Sequence, residues 1–503
     1  MAEKEKDSHS VHSGSSVQSA MDDTQSNDSK SNTSKSQPHN FLANFFLALA
    51  HFQFDRAHEI AEKVKDTQDK STNGAVLCSL SNILGQLCNA EKNYYSMSFI
   101  EKKLFKQTPR PLYANLRDLL KHEVGSSPPT VKAATKDGGS GKEADVLFVG
   151  DCAGAASPAE SVEVLAREVT KQLNNFVAAR LKMIDFYEFM AKSGWSHIQN
   201  TPEILSCIVE IRDEFGADFQ HPVLAPIKTS FGHEVEIVLT LFQTEAHLSE
   251  WDFLPSLLAL RESQSKLQSW SDLSPSSSSV KEQLLSTFSY KNFFTRSIKR
   301  QSDIPFLYEW LNKFYLQLVA KFTLYFYTAL SGQASPTDMK ATTAKTEVDF
   351  INKFTNFQKK SDGARISLVL DTNGKKNVYR GHGYHLDTTE HEPPTGLNSY
   401  PSVVSVPEGV MNTSQHWPNV ISLITNKSEY PKNTDKVIYF YDPRLGSSYY
   451  CSKMDVRLYL VIIYESKKKE RDNYIQTFLA DIKAQLNHDS LYALLRPGQA
   501  KSF

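Results

Sequence analysis

Cysteine is scarce and scattered in this chain: Cys78, Cys88, Cys152, Cys207 and Cys451 are five thiols among 503 residues, with no Cys-x-x-Cys pair. An odd count without ligand spacing argues against a disulfide framework and against a zinc module, and the thiols read as reduced, in the cytosol. An excess of one charge sign is missing too. Lys and Arg total 56 against 57 Asp and Glu, a net charge of −1, so no global field draws the chain to nucleic acid or an anionic membrane, and any such contact has to be local. Long hydrophobic runs are absent: the most apolar helical stretch, Leu316 to Leu330, is interrupted by Lys321 and is too short to span a bilayer. The amino-terminal segment lacks the basic-then-apolar pattern of a signal peptide, Ala2 accepts no myristoyl group, and Lys501-Ser502-Phe503 is not a prenylation box. Work at a membrane is therefore expected to depend on another carrier.

Catalytic signatures are missing in the same way. There is no Gly-x-Ser-x-Gly elbow and no His-Glu-x-x-His helix. Gly138-Gly139-Ser140-Gly141-Lys142 imitates a phosphate loop, but Lys136 stands where its first glycine belongs, Glu143 replaces the magnesium-holding hydroxyl, and no strand precedes it. Gly150 and Gly154 do not complete a dinucleotide fingerprint. No cofactor is expected.

What is present is a change of period. Before about residue 360 apolar residues recur every third or fourth position; afterwards Arg365 to Asp371, Asn419 to Thr425 and Arg457 to Tyr464 are short, β-branched or aromatic runs between turn residues, and read as strands. Arg457 to Tyr464 is apolar at nearly every position, as in a central strand covered on both faces. Asn373-Gly374 offers a hairpin turn, and Ile475, Phe478, Leu479, Ile482 and Leu486 place a helix after the last strand. The fold class is α+β: an N-terminal antiparallel helical bundle followed by a C-terminal mixed α/β sheet module, its sheet mixed or antiparallel with that helix packed on it.

A length of 503 residues favours two folded modules plus tails. Residues 1–40 contain no Leu, Ile, Phe, Tyr or Trp and read as a disordered Ser-rich tail, because burial cannot offset the entropy of ordering it. The bundle spans 41–360, with a Ser-, Pro-, Gly- and Lys-rich linker at 125–156 and an insert at 274–303; the sheet module spans 361–503. Within the bundle, Asn40 is an expected N-cap, Ser157-Pro158-Ala159-Glu160 is a capping box that opens a long helix, and Thr201-Pro202 opens the next.

The most distinctive side chains lie between the strands. His382 and His385, with Tyr384 between them, sit three apart, but the flanking glycines disfavour a helix and a strand would point the two rings to opposite faces, so a tight turn is the plainer reading than a metal site. His416-Trp417-Pro418 reads as a strand entry that packs its indole. Lys467, Lys468, Lys469 and Arg471 lie where cations are unfavourable to a helix dipole, and read as a solvated face with an acidic partner or anionic head group as the sharper alternative. As exposed special loops, Trp417, His416, His382, Tyr384, His385, Lys467, Lys468, Lys469 and Arg471 are the candidate partner contacts. A metal-dependent hydrolase using His382, His385 and His416 is the competing class.

Several short blocks carry a more specific signal. Ser249 to Leu257 (SEWDFLPSL), His221 to Pro226 (HPVLAP), Ala320 to Leu330 (AKFTLYFYTAL), Gly381 to His385 (GHGYH), His416 to Ile421 (HWPNVI) and Tyr464 to Asp472 (YESKKKERD) closely resemble the KICSTOR subunit 2 family, from about Phe41 to Pro497. The chain departs from that pattern in its Ser-rich tail, its linker and its insert. The resemblance implies a non-enzymatic component of a lysosome-associated assembly with kaptin, an integrin-like FG-GAP repeat protein and a very large scaffold of the seizure-threshold type. That assembly recruits the GATOR complex, which activates GTP hydrolysis by Rag GTPases, and so restrains the TOR kinase when amino acids are scarce. It also implies a helical bundle followed by an α/β module, a cytoplasmic chain held indirectly and peripherally at the lysosomal membrane, no nucleic-acid partner, and no catalytic residues.

Overall fold

The structure, a computed structural model, describes residues 37–66, 72–97, 109–125, 158–193, 197–272, 305–361, 363–375, 394–408, 415–425 and 436–495. Among the described residues the first eight helices are α1 (Gln37–Ala50), α2 (Phe54–Asp66), α3 (Thr72–Tyr95), α4 (Pro109–Gly125), α5 (Pro158–Ser193), α6 (His197–Phe215), α7 (Ala225–Ser249) and α8 (Phe253–Asp272). They are followed by α9 (Phe306–Tyr325), α10 (Tyr327–Ser331), α11 (Pro336–Ala344) and α12 (Phe350–Lys360). The longer helices bury apolar stripes: on α5, Val169, Leu173, Phe176, Met183, Tyr187 and Met190 recur at helical spacing and are buried. A fully buried side chain of this size contributes roughly 1.5–3 kcal/mol, so the stripes rather than intrinsic propensity hold the bundle together.

Two of the unusual short blocks are helix connections. In His221 to Pro226 the imidazole Nδ1 accepts from the Val223 amide at 3.2 Å, and Pro226 starts α7 in a position where its missing N–H has no partner to lose. Between α7 and α8, Trp251 takes a left-handed backbone (φ 60°) and stacks on Tyr325 of α9 with ring centres 4.6 Å apart. The tight turn thus holds an indole against the opposite helix.

Among the described residues five strands, β1 (Arg365–Leu370), β2 (Ser402–Val406), β3 (Ile438–Asp442), β4 (Ser447–Lys453) and β5 (Leu458–Tyr464), form one sheet in the order β2-β1-β5-β4-β3. All four pairings are antiparallel, which decides between the two sheet arrangements expected. β5 lies at its centre with every residue buried, as expected of a strand apolar on both faces. Alternation splits those residues between two layers. Leu458, Leu460 and Ile462 join the bundle helices and α14 (Asn473–Leu486) in one continuous apolar core, while Val461 and Ile463 pack with Tyr449, Cys451 and the short helix α13 (Trp417–Thr425) on the other face. A last short helix, α15 (Asp489–Ala493), returns to the bundle, where Leu491 O accepts from Trp310 Nε1 at 3.1 Å.

Four expectations are corrected. Asn419 to Thr425 is helical, not a strand: Trp417, Val420 and Ile424 fall on one helical face and are the buried positions, and so short an apolar run does not fix its own period. Gly374 has the positive φ (76°) of a turn, but the partner of β1 starts only at Ser402, so Asn373-Gly374 closes no two-residue hairpin. The helix α6 begins at His197 and carries Pro202 inside it, near enough to the start that few backbone bonds are lost. The first helix starts at Gln37, ahead of Asn40. The Ser-rich tail before Gln37, nearly all of the 125–156 linker and the 274–303 insert lie outside the described residues.

Candidate functional site

The candidate contacts separate into three groups. His416 and Trp417 are inside the protein, 2% and 4% exposed. Trp417 starts α13 and fills the layer between that helix and the sheet. His416 Nδ1 lies 2.7 Å from Tyr449 Oη, Asn419 Nδ2 donates to Tyr449 Oη at 3.2 Å and to Asp442 at 2.8 Å, and Glu465 stands 3.7 Å from His416 Nε2. Burial, with the nearby Arg365 guanidinium, lowers the imidazole's affinity for a proton. The packed indole was expected; its place on a helix and the burial of both side chains were not, and in this fold neither presents a contact surface. His382, Tyr384 and His385 lie outside the described residues. Among the described residues no group of three or more His, Cys, Asp or Glu is placed to hold a metal ion.

Lys467, Lys469 and Arg471 form an exposed loop between β5 and α14, with Lys468 half-buried. The sheet pins this loop by its backbone. Tyr439 donates to Lys468 O at 2.7 Å, Tyr450 to Lys469 O at 2.5 Å and Ser448 to Ser466 O at 2.9 Å, while the Lys468 amide donates to Ser448 Oγ at 2.9 Å. The cations lie over aromatic rings, Lys467 Nζ 5.2 Å from the centre of Tyr441 and Lys468 Nζ 4.9 Å from that of Tyr464. Asp472 caps α14 by accepting from the amides of Tyr474 and Ile475, which offsets the basic residues at that helix start. The loop is a fixed basic surface beside the strand β3.

Two buried charge nodes escaped the reading of the sequence. Arg180 of α5 is 1% exposed and forks onto Glu91 of α3 (2.9 and 3.0 Å), reaches Glu234 of α7 (2.6 Å) and donates to Tyr95 (2.9 Å). Tyr94 and Tyr187 donate to Glu234, and Tyr113 of α4 donates to Glu91. Burial alone would lower the proton affinity of Arg180; Glu91, Tyr95 and Glu234 outweigh it and hold the guanidinium charged. For Glu234 burial is the largest influence and pushes its carboxyl above the usual range, against Arg180 and the tyrosine donors.

The second node joins bundle to sheet. Lys321 of α9, 1% exposed, contacts Glu245 of α7 at 2.6 Å and Asp455, in the turn between β4 and β5, at 2.9 Å. Tyr325 also donates to Asp455, and His488, between α14 and α15, meets Glu245 at 3.2 Å and Gln317 at 3.1 Å. Burial by itself would raise Glu245, but Lys321 and His488 outweigh it and hold the carboxyl down to about 2. The sequence signal for both nodes is a cation within an apolar helical stripe, visible in Lys321 between Ala320 and Phe322.

A shallow groove between α3, α4 and α5 has its polar groups paired among themselves, Ser79 to Glu123 at 2.7 Å and Arg167 to Glu163 at 2.9 Å. The described residues thus supply a fixed basic surface and two buried charge nodes.

Comparison with known proteins agrees in extent with this architecture. The sequence profile of the family described as KICSTOR complex C12orf66 like matches residues 32–500. KICSTOR subunit 2 of Danio rerio is 33% identical over 464 residues, covering 91% of this chain and 95% of the relative. KICSTOR subunit 2 of Xenopus laevis is 32% identical over 459 residues, covering 91% and 96%. Similarity of this extent, through both the helical and the sheet regions, makes the chain a member of the KICSTOR subunit 2 family.

Proposed function

We propose that this chain is a non-enzymatic adaptor subunit of a KICSTOR assembly, holding other subunits through shape-matched surfaces. The observation that carries the reading is the near end-to-end likeness to two proteins named KICSTOR subunit 2, each covered to 95% or more. Its partners in this reading are the large seizure-threshold scaffold, kaptin and the FG-GAP repeat protein. Through them the chain helps bring the Rag-directed GATOR complex to lysosomes and restrains TOR signalling on amino-acid starvation. Its place is peripheral at the lysosomal membrane, reached through the assembly; among the described residues no helix is long and apolar enough to cross a membrane. The architecture suits such a role, because welded helices and a covered sheet keep a surface in one shape and so lower the ordering cost of binding. The hydrolase reading is not favoured by His416, whose ring is engaged by Tyr449.

Affinity purification of the tagged full chain from starved and fed cells, read by quantitative mass spectrometry, tests the proposal. Recovery of the three other subunits in near-stoichiometric amounts is expected in both states. A preparation without them, or one whose turnover of a substrate disappears on alteration of a single buried side chain, overturns it.

A further inference from the structure

The two edges of the sheet are treated differently. At one edge β2 is met by the bundle, with Thr328 of α10 donating to Val403 O. At the other edge β3 pairs only with β4, and among the described residues no strand pairs with its outer side. An edge strand exposes a row of backbone donors and acceptors that a further strand satisfies. The faces flanking this row differ in chemistry. Tyr439 and Tyr441 point to the face where the basic loop is pinned, with Lys467 Nζ over the Tyr441 ring; Phe440 points to the opposite face, against Tyr449, and is 38% exposed. Among the described residues Lys467, Lys469 and Arg471 have no carboxylate within ion-pair distance.

We infer that the outer edge of β3 takes an extended acidic segment of a partner protein as an added strand, a surface that deepens the adaptor reading and rests on it. The occupant follows from charge and alternation. Successive side chains of an added strand point to opposite faces, so one set meets the basic loop at Lys467, whose ammonium lies over Tyr441 of β3, while the other meets Phe440. Acidic residues alternating with apolar ones satisfy both. A lipid surface satisfies the cations but leaves the backbone row of β3 unpaired, and the ammonium groups of Lys467 and Lys468 are held over tyrosine rings.

The test uses the purified full chain and a fluorescein-labelled peptide of alternating Glu and Val, followed by fluorescence anisotropy. Saturable binding is expected, weakened about tenfold or more by Lys467→Glu/Lys469→Glu/Arg471→Glu, and less strongly but in the same direction by the matching substitutions to Gln. A Glu–Pro peptide of equal charge, which cannot extend a ladder, is expected not to bind. Melting curves of the variants matching that of the parent exclude misfolding as the cause, since these side chains are exposed. Equal binding of the Glu–Pro peptide, or binding of the Glu–Val peptide that ignores the charge reversal, overturns the proposal. So does a chain that ignores both peptides and instead binds phosphatidylcholine–phosphatidylserine vesicles through the same cations, which assigns the loop to a membrane. Recovery of the assembly from cells tests the adaptor reading separately, so either result can fail alone.

Discussion

Replacing Lys321 by Met removes a cation from a site where two carboxylates stay behind. The side chain is 1% exposed, and its ammonium lies 2.6 Å from Glu245 and 2.9 Å from Asp455. Removing one partner of a buried ion pair costs about 3–5 kcal/mol, because the remaining charge is neither solvated nor compensated. The proton equilibrium of Glu245 yields a similar figure: holding that carboxyl at about 2 against an ordinary 4.5 corresponds to about 3 kcal/mol of coupling. The sign fixes the pH dependence. A carboxyl depressed in the folded state contributes stability above about pH 4.5 and loses it as the pH falls toward 2. Without Lys321, burial pushes Glu245 upward, so the loss in Lys321→Met is greatest near neutral pH and shrinks on acidification as the carboxyl takes a proton. Asp455, Tyr325 and His488 face the same site, and a parallel comparison in a His488→Gln background removes the other titratable nitrogen. Trp251, stacked on Tyr325, reports the junction by its fluorescence in urea titrations at neutral pH and at about pH 4. A midpoint shift of equal size at the two pH values refutes the electrostatic account and leaves only lost packing. In the triple variant Lys321→Met/Glu245→Gln/Asp455→Asn, where no charge is stranded, much of the stability is expected to return.

Arg180→Met is expected to cost about 3–5 kcal/mol in thermal or urea unfolding, and Arg180→Lys to recover little of it, since one ammonium cannot reproduce the fork on Glu91 together with the bond to Glu234. Trp417→Ala removes a buried indole from beneath α13 and is expected to destabilise by about 3–5 kcal/mol, with any loss of partner binding following the fraction unfolded rather than preceding it. Asp472→Ala deletes the cap of α14 and is expected to cost about 1 kcal/mol, read as a lower melting temperature, while the neighbouring substitution Arg471→Gln changes stability by less than about 0.5 kcal/mol.

Where hydrophobic period and length agreed, the elements were legible. Seven buried positions in β5 and the long stripe of α5 announced themselves because no other placement buries them. The strands β2, β3 and β4 did not, since Ser402–Val406 and Ser447–Lys453 carry serine and lysine among their apolar residues, and their burial comes from neighbours rather than composition. The α13 run was misread because it is short and β-branched, although its polar residues Asn419, Ser422 and Thr425 fall at every third position, as on a helix. Of the candidate contacts, the basic loop was placed correctly between the last strand and its helix, but the tyrosine bonds that fix it join residues 19 to 29 positions apart. The charge nodes are further from view: Arg180 meets Glu91 across 89 positions and Lys321 meets Glu245 across 76, and only the bundle's closure brings them together.

The Lys321 node and the basic loop are two ends of one device. Asp455 lies three residues before β5 and His488 two residues after α14, and each is bonded to the Lys321–Glu245 pair on the bundle. The chain between them runs outward along β5, turns through the loop, and returns along α14. Seven strand residues rise about 23 Å, and fourteen helical residues about 21 Å. The strand and the helix are therefore matched in length, and the loop projects from a lever fixed at both feet on the same buried charges. Its position relative to the bundle is set by that node and by the tyrosines beneath it, which is the rigidity a subunit needs if one surface is to be held while another holds.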